Sequence, residues 1–269
     1  YVVVLICKML VCCRLAFIYR LSLGLWPCLS MNAVGRPASS QGAPLAFGLD
    51  NVDTLFPGFV LGDFGVLYGL PTCLPLSLLL CVRCQLSVEQ EGWDSSVVFV
   101  DGGNTFDLFE VSYAAQRYGL DPKAVLERVF ISRAFTAYQL TSLIIDRLKS
   151  AVERFKAKLV VVSDVVGLYL DRDVPRTEAM DVFNKLTVFL SRFAADNRVV
   201  VVATHFTRRS SARSMFFESA LLGRASVVVR VRDSHRVLRF VLEKHPIYKL
   251  GTVEVPSEGV TLKEFLEVA

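Results

Sequence analysis

From Ser95 onward the chain alternates between short unbroken apolar runs and longer stretches in which apolar residues recur at helical spacing. Val97, Val98, Phe99 and Val100 form one run that ends in Asp101, and Val129 to Ser132, Leu159 to Val162 and Arg198 to Ala203 form others. A strand without a polar face must be covered on both sides, which is the condition of a parallel strand inside a sheet. Between the runs, Leu108, Val111, Ala115 and Tyr118 are spaced for a helix that Gly119 stops. Asp121 and Pro122 take the cap and first-turn positions of a short helix. Ala137, Leu140, Ile144, Leu148 and Ala151 line a long helix, and Met180, Phe183, Leu186, Leu190 and Phe193 line another. This order predicts an α/β fold with a mostly parallel central sheet flanked by helices. Ala225 to Val231 and Val237 to Leu242 read as a C-terminal antiparallel hairpin added at the sheet edge. Neither an internal repeat nor a second domain is visible.

The amino-terminal stretch does not follow this pattern. Residues 1–30 carry Lys8, Arg14 and Arg20, no acid, and four of the seven cysteines. Without them the net charge of +4 shrinks to +1, so overall basicity is no argument for nucleic acid. A cation every six residues leaves no uncharged run long enough to span a bilayer. Trp26, Pro27 and Cys28 stand where a signal peptide would end in small residues. Residues 1–44 are therefore expected to be a non-native or flexible leader, with Met31 as a possible true start, and 45–269 the core domain. Phe64 to Val82 is uncharged over nineteen residues, but Gly65, Gly69, Pro71 and Pro75 interrupt it. It parses as a strand at Gly65 to Tyr68, a turn at Gly69 to Pro75 and a buried helix from near Leu76. No membrane partner is expected.

Against this framework residues 46–255 resemble the ATPase core of the RecA and RadA recombinase superfamily, which also includes KaiC-like proteins. The resemblance is carried by Tyr118-Gly119-Leu120-Asp121-Pro122 leading to Val125-Leu126, and by Ile131-Ser132-Arg133-Ala134-Phe135, similar to a stretch of archaeal RadA-type proteins. Leu159 to Tyr169 is similar to the family's second nucleotide motif, and Val200 to Thr204 to the strand that leads into its second DNA-binding loop. The resemblance implies a P-loop NTPase fold of the RecA type.

It also implies a phosphate loop, and there the chain departs. Gly69-Leu70-Pro71-Thr72-Cys73-Leu74-Pro75-Leu76 stands where the family reads Gly, four residues, Gly, Lys, then Ser or Thr. Such a loop works because backbone N–H groups face the phosphates, Lys neutralises their charge and the hydroxyl holds magnesium. Here Leu74 replaces the second Gly, Pro75 the Lys and Leu76 the hydroxyl; a frame shifted by one offers Ser77 but no Lys. Asp101-Gly102-Gly103-Asn104-Thr105-Phe106 has Gly103 where the family's catalytic acid belongs. At the second motif the matching position is Ser163, with the carboxylate one residue later as Asp164. In a strand that shift turns a side chain to the opposite face, although Asp164 could reach a metal if the strand has already ended. Gly69, Thr72, Ser77, Asp101 and Asp164 thus form a degenerate nucleotide site. The expectation is a pseudo-ATPase with no catalytic residues, no metal ligands and no cofactor, ATP and magnesium being disfavoured.

The resemblance places two DNA-binding loops at strand ends. The first falls in Asp171 to Glu178, with Arg172 and Arg176 among acids. The second follows Thr204 as His205 to Phe217, which holds Arg208, Arg209, Arg213 and Phe206 and no acid. Arginines interleaved with aromatics suit phosphate contact and base stacking. DNA is the expected partner, with a RecA/RadA-type recombinase or a second copy as a further one. Cys81 and Cys84 form a lone Cys-x-x-Cys among Leu78, Leu79, Leu80 and Val82, which reads as buried thiols rather than a metal site. With three cysteines in the domain, the chain is expected to be cytoplasmic. The leading expectation is an accessory factor in DNA recombination or repair. The alternatives are a KaiC-like protein-interaction module without a DNA role and an ATP-binding RecA-like ATPase with an altered site.

Overall fold

The computed structural model describes residues 43–171, 174–207, 211–234 and 237–256. Its strands are β1 (Phe64–Gly69), β2 (Val97–Asp101), β3 (Val129–Arg133), β4 (Leu159–Ser163), β5 (Val200–Phe206), β6 (Val227–Ser234), β7 (Val237–Lys244) and β8 (Gly251–Pro256). They form one sheet in the order β3-β2-β4-β5-β1-β6-β7-β8. The strands from β3 across to β6 are parallel, and β7 and β8 continue the sheet antiparallel. Every residue of β2 and β4 is buried, as apolar runs with two covered faces require.

The helices are α1 (Asp50–Leu55), α2 (Cys73–Arg83), α3 (Leu108–Arg117), α4 (Pro122–Glu127), α5 (Ala137–Ser142), α6 (Leu148–Phe155), α7 (Arg176–Asn197) and α8 (Ala212–Arg224). Alternate strand residues point to opposite faces and build two cores. Leu67, Phe99, Val161 and Val202 pack with Leu76 and Leu80 of α2 and Val111 of α3. Val66, Val98, Val160 and Val201 pack with Ile144, Phe183 and Leu186 of the α5-to-α7 side and Phe217 of α8. The result is the α/β fold that the alternation predicts, of the RecA-like type that the resemblance implies.

Four features differ from the sequence expectation. The helix after β1 starts at Cys73 rather than near Leu76, with Pro75 in its first turn, where a missing N–H costs no helical bond. The stripe from Ala137 to Ala151 is not one α-helix, because a π turn at Leu143–Arg147 separates α5 from α6. The terminal hairpin is a three-stranded unit, since β8 pairs with β7. Most consequentially, residues 212–217, expected as part of a loop, are the first half of helix α8. Ser211 caps that helix through the Ser214 N–H, with the reciprocal bond from Ser211 N–H to the Ser214 hydroxyl. The assignment of residues 1–44 as a leader lies outside the described residues except for Ala43 and Pro44. Among the described residues no helix is long and apolar enough to cross a membrane.

Entry into the core depends on one carboxylate. Asp53 accepts the N–H groups of Phe47, Gly48 and Leu49 at 3.0, 2.8 and 2.9 Å, which fixes the segment leading into α1. Burial pushes its pKa up to about 6 against the lowering effect of those bonds and of Arg83. The folded chain therefore holds this proton more tightly than the unfolded one, whose carboxyl titrates near 3.8, so this group's contribution to stability falls as pH rises between those values. Urea midpoints measured at both ends of that window will show wild type gaining on Asp53→Asn at the acidic end. Asp53→Ala, which leaves three N–H groups without their acceptor, will lose about 1–3 kcal/mol.

Candidate functional site

All parallel strands present their carboxyl ends along one sheet edge, where ligands of open α/β folds bind. Gly69 ends β1 there with φ +118°, a conformation that favours glycine. A Cβ at this position would lie 2.2 Å from the Val231 carbonyl oxygen, so neighbouring β6 closes the space that a side chain would need. The turn that follows is short and internally bonded. Leu70 N–H donates to Val231 O, Cys73 N–H to Leu70 O, Leu74 N–H to Pro71 O and Leu76 N–H to Thr72 O. Thr72 is the N-cap of α2 but its hydroxyl makes no cap bond. Ser77 is fully buried and donates to Leu74 O at 2.7 Å, back into its own helix. Thus four N–H groups of this segment already serve carbonyls, and Pro75 has no N–H.

Three strands along the sheet, Asp101 is wholly buried at the end of β2 and carries a full set of donors. Its Oδ1 accepts Thr105 N–H at 2.9 Å and the Ser163 hydroxyl at 2.8 Å. Its Oδ2 accepts Phe106 N–H at 3.3 Å and pairs with the Arg133 guanidinium at 3.1 Å. Thr105 also donates its hydroxyl to Ser163 at 3.0 Å. The parallel register sets Asp101 level with both Ser163 and Arg133, which explains why the three meet. These contacts hold the turn after β2 and leave the carboxylate committed to the chain itself.

Asp164 stands one residue beyond the end of β4, in the left-handed region at φ 43°. The strand has ended, so the simple face reversal does not apply. Its N–H donates to the Thr204 hydroxyl at 2.9 Å and its side chain is buried against Gly103. A Cβ on Gly103 would come within 2.9 Å of the Asp164 Cβ and of Thr105 Cγ2. The position where the resemblance expects a catalytic acid therefore has no room for one. Asp101 and Asp164 thus sit at adjacent strand ends, whereas Gly69, Thr72 and Ser77 belong to β1 and α2 on the other side of β5.

The residues nominated for DNA contact divide. Arg208, Arg209 and Arg172 lie outside the described residues. Arg213 is on α8, where it donates through Nε and one terminal nitrogen to Tyr169 O at 3.0 and 2.7 Å and to Val174 O at 3.1 Å. Its guanidinium also lies over the Phe217 ring, so its place is a brace between α8 and the segment before α7, not a loop. Phe206 is the last residue of β5, level with Gly69, and packs on the first core. Arg176 is exposed as the first residue of α7, which shortens the expected first loop.

One cluster had no counterpart in the motifs. Register aligns His205, Tyr68 and Arg230 across β5, β1 and β6. Buried His205 contacts Glu218 of α8 at 3.3 Å, and the Tyr68 hydroxyl donates to Glu243 of β7. Arg230 lies over the Tyr68 ring and 3.6 Å from Glu243. Burial and then the Glu243 bond push the Tyr68 pKa well up, which keeps it a neutral donor. The only sequence signal was polar residues interrupting otherwise apolar strands at Tyr68, His205 and Arg230.

Cys73 and Cys84 are buried thiols pushed up to about 12 by burial, and buried Cys81 is pushed up likewise. Among the described residues no group of three or more His, Cys, Asp or Glu could hold a metal ion. Asp101→Ala will lower the unfolding free energy by about 1–3 kcal/mol, since it leaves the buried Ser163 hydroxyl and the Thr105 and Phe106 N–H groups without their acceptor, while Arg133 keeps access to solvent. Chemical denaturation checks this, and a change below about 1 kcal/mol would contradict the assignment.

With this geometry in place, the relatives are informative. The profile of the Rad51 family matches residues 48–222. A DNA repair protein Rad51 homolog of Drosophila melanogaster is 30% identical over 167 residues, 60% of this chain and 49% of its own length. A meiotic recombination protein DMC1 homolog of Arabidopsis thaliana is 30% identical over 135 residues, 50% of this chain and 39% of its own. A DNA repair protein RAD51 homolog of Solanum lycopersicum is 30% identical over 125 residues, 45% of this chain and 36% of its own. The chain thus spans about half or less of the curated relatives that it matches. The matched region holds the whole run from the entry into α1 through most of α8, and the chain belongs to the Rad51 family.

Proposed function

We propose that this chain is a catalytically degenerate, RadA-like paralogue that acts as an accessory factor in DNA recombination or repair without turning over ATP. The observation that carries the first half is the turn after β1. A phosphate loop needs free N–H groups and a lysine; here Cys73, Leu74 and Leu76 donate to carbonyls of the same turn, and Pro75 stands at the lysine position. Asp101 is saturated by Thr105, Phe106, Ser163 and Arg133, and Gly103 has no room for an acid. The residues present do not fit a magnesium–nucleotide of the family's kind. Removing one preorganised active-site donor typically costs about 3–4 kcal/mol of transition-state stabilisation, and several are missing together.

The second half is supported by the names of the relatives, which are DNA repair and meiotic recombination proteins. In this reading Arg208 and Arg209, with Arg172 and Arg176, remain the candidate phosphate contacts, and a recombinase or a second copy is the protein partner. Arg213 leaves the set because its donors are committed to carbonyls. That same commitment favours a second reading, a KaiC-like protein-interaction module with no DNA role, since it removes one cation from the basic segment.

Two measurements separate the readings. Titration with a fluorescent ATP analogue, with and without magnesium, is expected to show no saturable binding in the micromolar range; micromolar affinity would overturn the degenerate assignment. Salt-dependent retention on DNA is expected, and Arg208→Ala with Arg209→Ala will flatten its slope by roughly one to two phosphate contacts. Retention that is absent at low salt selects the protein-interaction module.

A further inference from the structure

The turn between β7 and β8 is organised around one imidazole. His245 Nδ1 accepts the backbone N–H of Ile247 at 3.0 Å and of Tyr248 at 2.9 Å. Its ring packs at 5.7 Å from Phe56, which follows α1, and at 4.5 Å from Tyr248. The turn held in this way projects apolar side chains into solvent: Ile247 is 82% exposed and Leu250 52%. An apolar tip of this kind does not form by burial, so its shape depends on the bonds at its base.

We propose that His245 is a proton-responsive pin that holds the β7–β8 turn and its apolar tip in this conformation while neutral and releases it when protonated. Both bonds use the single in-plane lone pair of Nδ1, which requires the proton to sit on Nε2. The imidazolium carries a proton on each nitrogen and accepts from neither. Protonation therefore replaces an acceptor with a third donor directed at two N–H groups, and the turn must rearrange so that water serves them. The bond formed is Nδ1–H, the proton comes from solvent, and no other group is consumed.

The surroundings of the ring set where this happens. Burial holds the His245 pKa below the usual imidazole value, and the Asp63 charge, reaching it from the turn before β1, acts in the opposite direction and is the smaller effect. From the α1 side the ring meets uncharged Phe56, while the Asp53 carboxylate is turned to its own three N–H donors. Lys244, next in sequence, directs its ammonium to Leu222 O and Gly223 O at the end of α8. On the β8 side Leu250 and Gly251 bring no charge; within the turn Tyr248 lies against the ring, and the one charged side chain is that of solvent-exposed Lys249. The pin is thus set for neutral at ordinary pH and opens on acidification.

Residue-resolved hydrogen exchange on the full chain tests this, with the imidazole titration followed by NMR on the same sample. After correction for intrinsic rates, protection of the Ile247 and Tyr248 amides is expected to fall about tenfold as His245 titrates, the scale of one net hydrogen bond. Amides of β1 are expected to keep their protection, which separates local release from unfolding. His245→Asn supplies an oxygen acceptor that does not titrate, so its turn amides will show no pH step at the same point. Wild-type protection unchanged across the imidazole titration would overturn the proposal, as would an equal step in the Asn variant.

Discussion

Burial of the parallel strands on both faces is the constraint on which the rest of this structure depends. β2 and β4 have no exposed residue, and β1 runs between β5 and β6 with both neighbours in parallel register. Helices must then cover each face, and the only places left for polar chemistry are the strand ends. The same packing brings Val231 O so near Gly69 that no side chain fits there, and the turn into α2 closes on its own carbonyls. The character of the candidate site follows from this crowding.

At the carboxyl edge several polar side chains are bonded within the chain itself. A buried carboxylate without partners would be costly, and Asp101 avoids this through two backbone N–H groups, a hydroxyl and a guanidinium. Arg213 is treated in the same way by two carbonyls, and Tyr68 by Glu243. A ligand site needs donors and acceptors that folding has left available. Along this edge the donors and acceptors of Asp101, Arg213 and the turn after β1 hold one loop against another.

Much of the fold was legible because apolar runs and helical stripes report burial directly. Val97 to Asp101 and Leu159 to Val162 became strands, and Asp121 with Pro122 opened a helix as their types prescribe. The failure at residues 212–217 has an equally definite cause. Arg213, Ser214 and the Arg208-Arg209 pair made the segment look like a basic loop, while Phe217 and Leu221, four residues apart, carry the helical signal into the core. A composition that suited a loop outweighed a short apolar spacing. β8 escaped for a related reason: only Val253 and Val255 alternate, and a strand that short is recognisable only beside its partner β7.

The sequence by itself determined the layer architecture, since that is a matter of residue type at a position: an apolar run cannot face water. The proposed degenerate reading of the phosphate loop rests on the same kind of statement, that proline cannot supply an N–H or an ammonium. Tertiary structure alone decided what each surviving polar group does. Asp101, Asp164, Arg213 and His245 could each be named from the chain. Their roles as a saturated carboxylate, a filler against Gly103, a helix brace and the base of an apolar turn come from residues close in space, several of them distant in sequence. Hydrogen bonds and close packing act over a few ångströms, and only folding sets which groups lie within that reach.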